Sequence, residues 1–231
     1  MSTHDFFILL HLVLFCYWLG GDLGVFYSSS FVVNDKLSKE TRMVAAKIML
    51  NLDLVPRLCL SLMLTVGGIL SEFRGLEHPL WQMVAIILLG PFWLAMVLTI
   101  HFKEGTALAK RLTRFDFWFR WAMIVGILGS VTYSFSTGRL DPAPWIGGKL
   151  VVFALLIFCG LMIRMALVPF VKGFHNMAVQ GASSADNLAM RKSLARVRPW
   201  VLVIWAGLLV EAFLGVVEPG GTEQLALLFG G

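Results

Sequence analysis

Residues 6–27 read FFILLHLVLFCYWLGGDLGVFY, an apolar run long enough to cross a hydrocarbon core about 30 Å thick. Three of its side chains sit poorly in lipid. His11, Trp18 and Asp22 are spaced seven and four residues apart, and at about 100° per residue they share one stripe of a helix. Hydrocarbon holds no water to solvate an imidazole or a carboxylate, so this stripe must face protein, a cavity or a bound ligand. The run follows His4 and Asp5 with neither a basic leader nor a small-residue cleavage pattern. It is expected to be a retained helix rather than a signal peptide.

Five more runs of similar character follow, and together they predict an all-α polytopic membrane protein, a bundle of six transmembrane helices forming a single domain over residues 1–231. The spans read as about 6–27, 54–72, 79–102, 116–136, 145–171 and 199–217. The chain is 58% hydrophobic and only 14% charged, with a mean hydropathy of +0.81, which excludes an ordinary soluble domain. Basic residues alternate between connections. Lys36, Lys39, Arg42 and Lys47 lie between the first two spans; Lys103, Lys110, Arg111 and Arg114 between the third and fourth; Lys172, Arg191, Lys192, Arg196 and Arg198 between the fifth and sixth. The other connections hold only Arg74 and Arg139. The positive-inside rule then places the rich connections in the cytoplasm and both termini outside, in a bacterial inner (cytoplasmic) membrane. The net charge of +5 follows from that topology; it points to anionic lipid headgroups and gives no indication of nucleic acid.

Little lies outside the spans. SKETRMVAAKIMLNLD reads as an amphipathic lead-in to the second, and SSADNLAMRKSLARVRPW offers Ser184 as an N-cap ahead of the sixth. The tail after Pro219 is short and expected outside. Cys16, Cys59 and Cys159 each stand alone in a span, so no disulfide framework, zinc site or covalently attached haem is indicated. Gly20 and Gly24 form a GxxxG spacing that invites close helix approach, and Gly67–Gly68, Gly126 and Gly129 suggest the same elsewhere. Pro91 is expected to kink the third span and free carbonyls that need new partners.

Depth sorts the ionisable residues. At 1.5 Å per residue, His11, Lys149 and Glu211 fall about 9, 7 and 9 Å below the outer boundary, so three helices each contribute a polar group to one outer layer. Lys149 either serves that layer or snorkels to the interface, and Glu211 either joins a site or only pairs with Lys149. Asp22, Asp53 and Arg57 collect toward the inner face and are expected to form a structural ion pair, with Asp22 reaching Arg57 across helices. His101 lies roughly 25 Å from His11 along the membrane normal, so a single haem cannot bridge the two.

His11-x6-Trp18-x-Gly20-Gly21 resembles the first-helix signature shared by CopD-type copper-resistance membrane proteins and HemJ-type protoporphyrinogen oxidases. Trp145-x3-Lys149-Leu150 resembles a later lysine-bearing helix of the same families. The resemblance implies haem b with His11 as axial ligand and a role for Lys149. It departs in two places: Gly147 and Gly148 stand where the HemJ pattern often has a histidine, and VFYSSSFVVNDK lacks the histidine expected after the first helix.

Three functional classes follow. In a redox protein, haem b would sit in the outer half, with His11 as metal ligand and Met83 as a second. Trp18, Lys149 and Glu211 would complete the cofactor-binding set, Lys149 neutralising a propionate or an anionic substrate. Such a protein needs an electron-transfer partner or a quinone. In a copper transporter, His11 and nearby methionines would pass the metal inward, soft sulfur suiting Cu(I). The third class is an accessory subunit, packed in an oligomer or a larger membrane complex.

Overall fold

A computed structural model describes residues 1–181 and 183–221, and the described chain is helical throughout. Seven helices appear among these residues rather than six: α1 (Thr3–Val32), α2 (Lys39–Glu72), α3 (Leu80–Phe102), α4 (Ala107–Ser136), α5 (Pro144–Ala166), α6 (Val168–Gln180) and α7 (Ser184–Val217). Five of them, α1, α2, α3, α5 and α7, are long and apolar enough to cross a membrane. α4 falls short because it carries Asp116 and Arg120 and ends on a hydroxyl-rich turn. Large apolar side chains such as Leu12, Leu88, Val125 and Leu209 point outward, as contact with lipid requires.

The extra helix comes from the expected span 145–171, which breaks at Leu167. Pro169 has no N–H to donate, so the α5 ladder stops with Leu167 N–H bonded to Ile163 O, and a new helix starts with the proline in its first turn. α6 is amphipathic. Phe170, Gly173 and Met177 bury one face against α7, while Lys172 and His175 are exposed.

Both cytoplasm-assigned lead-ins are helical extensions of the spans that follow, but Ser183 caps α7, one residue before the expected Ser184. Its hydroxyl accepts from Asp186 N–H at 3.1 Å, and the Asp186 carboxylate accepts from Ser183 N–H at 3.1 Å. The tail after Gly221 lies outside the described residues.

Helices adjacent in sequence pack side by side, and α7 returns to α1, closing a ring in the order α1, α2, α3, α4, α5, α7. The interior is filled by Trp18, Trp93, Phe153, Ile157, Cys159 and Leu161. Glycine decides the closest seam, though not at the expected pair. A Cβ at Gly21 would meet Pro56 Cδ at 2.8 Å and one at Gly24 would meet Leu52 Cδ1 at 2.7 Å, whereas nothing lies within 4 Å of Gly20. Gly126 and Gly129 likewise face open space. The backbone one turn ahead of Pro91 finds its partner across the seam. Thr65 Oγ1 of α2 donates to Ile86 O at 2.6 Å and accepts from Gly90 N–H at 2.8 Å.

The connections α2–α3 and α4–α5 are tied by the few cations they hold. Arg74 pairs with Glu218, and Arg139 donates to Gln82 Oε1 and Glu77 O. At the basic end, buried Arg42 donates to Val32 O at 2.7 Å and Asn187 Oδ1 at 2.8 Å, pinning the end of α1 and the start of α7 to α2.

Candidate functional site

Three helices contribute to a polar cluster in the half of the bundle assigned to the outside. His11 faces α2 at Gly67, where an added Cβ would sit in ordinary contact, 3.5 Å from the ring carbon Cε1. Among the described residues neither ring nitrogen has a hydrogen-bond partner, and Nδ1 is buried. Lys149 of α5 and Glu211 of α7 meet with Nζ and Oε2 3.8 Å apart, a loose ion pair. Glu211 Oε1 is buried and unpartnered. Lys149 also lies within electrostatic reach of the His11 ring and of Glu218. Gly215 gives it room: a Cβ there would lie 3.0 Å from Nζ.

The cluster therefore holds a cation, a carboxylate and an imidazole, each with hydrogen-bonding capacity unused. In a bilayer interior an unmet buried polar group costs about 1–3 kcal/mol, so such a cluster is a place that a ligand would stabilise.

Trp18 lies about two turns further along α1, 4% exposed, edge-on to Phe153 at 6.4 Å. Met83 is not gathered in. It lies on α3, which packs against α2 and α4, and one turn along, Ile86 abuts Gly68 of α2, while His11 faces Gly67. His101 sits at the far end of α3, against Phe102. No three His, Cys, Asp or Glu side chains converge for a metal ion among the described residues.

Toward the basic end the expected lock from Asp22 to Arg57 is absent. Arg57 pairs with Asp53, one turn away on its own helix, and half of its side chain is exposed. Asp22 instead faces the like charge of Asp53, has the Trp18 indole beside it, and leaves Oδ2 buried without a partner. The local i,i+4 pair forms without bending a long side chain across the seam, which is why it wins. Asp22→Asn should therefore leave folded yield unchanged or raise the melting temperature, and its effect should add independently to that of Arg57→Gln. A loss of roughly 3–5 kcal/mol in thermal or denaturant melts would instead show that Asp22 holds a cation.

The best-built polar site was not anticipated. Asp116 of α4 is 1% exposed and accepts three hydrogen bonds: Trp93 Nε1–H to Oδ1 at 3.1 Å, and Arg120 Nε–H and Arg164 Nη2–H to Oδ2 at 3.0 and 2.7 Å. The Arg120 guanidinium also lies over the Trp93 ring, 5.3 Å from its centroid. The i,i+4 spacing of Asp116 and Arg120 was a readable signal; Arg164, on another helix, was not.

A shallow cavity of about 300 Å³ between α1 and α7 at the basic end is lined by Ser30, Val33, Arg191, Leu194, Ala195 and Arg198. In comparisons with family models, curated proteins and solved structures, the chain matches none.

Proposed function

We propose that this chain is an integral membrane protein that binds haem b in the outer half of its bundle and works as a redox protein. One observation carries the reading: a half-buried imidazole, His11, whose Nδ1 is buried and whose ring nitrogens have no partner among the described residues. An axial haem ligand needs such a nitrogen. The neighbouring groups fit the remaining demands of the cofactor. Lys149 supplies a cation for a propionate, Glu211 orients that cation, and Gly67 and Gly215 leave the side chains around them room to part. When bound, haem would supply one-electron chemistry; the chain's part is to hold His11, to place a positive charge nearby and to keep water out with Trp18 and Phe153. In this reading His11 would hold the haem, and Met83 stays apart on α3, which packs against α2 and α4.

The test is the spectrum of purified protein expressed with ample haem. A Soret band that sharpens and shifts on reduction, with about one haem per chain by pyridine haemochrome, is expected. Colourless protein overturns the reading.

With α4 counted among them, the ring has six crossing helices, and α6 lies along the basic surface. Both termini then face the extracytoplasmic side of a bacterial inner membrane, because the basic connections stay in the cytoplasm. A reporter joined after Gly231 should be active only in the extracytoplasmic compartment; cytoplasmic activity would reverse the orientation.

A further inference from the structure

The charge count around Asp116 does not close. One carboxylate faces two guanidiniums, Arg120 and Arg164, and Arg57, whose charge also reaches Arg120, is already taken by Asp53. A single arginine would neutralise Asp116. The second leaves a net positive charge among helices α3, α4 and α5, where an uncompensated ion is costly.

The hydrogen-bond count fails in the same direction. Asp116 spends one oxygen on Trp93 and the other on both arginines. Among the described residues no acceptor takes either terminal nitrogen of Arg120, and Arg164 Nη1 is buried without a partner. The unused donors all belong to planar cations. Planar guanidinium forks match the paired oxygens of an oxyanion.

The surroundings leave an approach. Gly160 lies one turn before Arg164 on α5, and even a Cβ there would come no closer than 3.7 Å to Arg120 Nη1. Trp93 beneath the Arg120 guanidinium fixes its plane. Arg120 is closed off, but a third of the Arg164 side chain is exposed, two residues before the basic end of α5. An anion can therefore reach Arg164 from that end without opening the bundle.

We propose that Arg120 and Arg164, held by Asp116 and Trp93, form a binding site for a phosphate group at the basic end of the bundle. The phosphate is either inorganic phosphate from solution or the headgroup of an anionic lipid in the same leaflet; both present the same oxygens to the two forks. Neither depends on haem at His11.

The experiment is thermal melting of the full chain in phosphatidylcholine nanodiscs, with two probes: inorganic phosphate at ionic strength held constant with chloride, and discs in which part of the phosphatidylcholine is replaced by phosphatidylglycerol. At least one probe should raise the melting temperature of the wild-type protein. Arg164→Gln, which leaves the neutral Asp116–Arg120 pair intact, should weaken the response about tenfold or more in probe concentration. Arg198→Gln, a change in the α1–α7 cavity, should respond as wild type does, which separates this site from general attraction to a basic surface. Gly160→Leu sets a larger side chain against Arg120 Nη1, where a Cβ alone would already be in contact at 3.7 Å, without altering charge. It should also lose the response, so the test survives if Arg164→Gln folds poorly. A response to phosphate in phosphatidylcholine supports the site and assigns a soluble anion; a response to phosphatidylglycerol alone supports it and assigns a lipid. No response of the wild type to either probe, or an equal response in Arg164→Gln and Gly160→Leu, overturns the proposal.

Discussion

Asp116→Asn should remove most of the folded protein. The carboxylate is 1% exposed and is the common acceptor of two guanidiniums from different helices and of a buried indole. Without its charge, two cations remain between α3, α4 and α5 with no anion among the described residues to offset them. Breaking a buried pair costs roughly 3–5 kcal/mol, a large part of a total stability of about 5–15 kcal/mol. Monodisperse yield by size exclusion, and denaturant melts of what survives, would measure the loss. Adding Arg164→Gln should restore part of it by removing one orphaned cation. Asp53→Asn is the internal comparison. It removes an aspartate at the same i,i+4 spacing, but Arg57 is half exposed and can turn to water, so about 0–1 kcal/mol is expected. Equal losses from the two aspartates would show that Asp116 is not the anchor of α3, α4 and α5.

That comparison also marks the limit of what the sequence could reveal. Asp53-x3-Arg57 and Asp116-x3-Arg120 are the same pattern in similar surroundings, and nothing local says which one is buried. The difference arises from Trp93 and Arg164, brought from helices whose rotation about their own axes the apolar pattern hardly constrains. Membrane helices are apolar on every side, so periodicity announces a helix without announcing its inner face. The same ambiguity explains the glycines. Gly20, Gly21 and Gly24 were visible as small residues, yet only packing against Pro56 and Leu52 selects Gly21 and Gly24. Depth was the legible coordinate, since it needs only residue count and span ends. It placed Lys149 and Glu211 in one layer, and the two side chains meet there. Backbone chemistry was legible too, but less was drawn from it. Pro169 was in plain view, and its missing N–H is what splits the expected fifth span into α5 and α6.

His11→Ala should yield folded protein without a Soret band. The imidazole makes no hydrogen bond to the described chain, so its removal costs packing and leaves no partner stranded. What it takes away is the one imidazole at that depth: His101 is at the other end of α3, and Met83 sits on α3, which packs against α2 and α4. Imidazole added to the buffer should restore part of the band, because it supplies the missing ligand to the space that alanine opens. Lys149 acts differently. Its ammonium is a neighbouring charge and not a ligand, so Lys149→Met paired with Glu211→Gln, which avoids an orphaned carboxylate, should retain haem. Compared with Glu211→Gln alone, the double variant lacks only the ammonium. A nearby cation favours the reduced, more negative state of the cofactor, so the midpoint potential of the double variant should lie below that of Glu211→Gln by an amount on the order of tens of millivolts. Haem-replete His11→Ala protein would refute the ligand assignment, since a ligand elsewhere must then hold the iron. Equal potentials in Glu211→Gln and in the double variant would place Lys149 outside the cofactor's field and leave its pairing with Glu211 as a structural tie between α5 and α7.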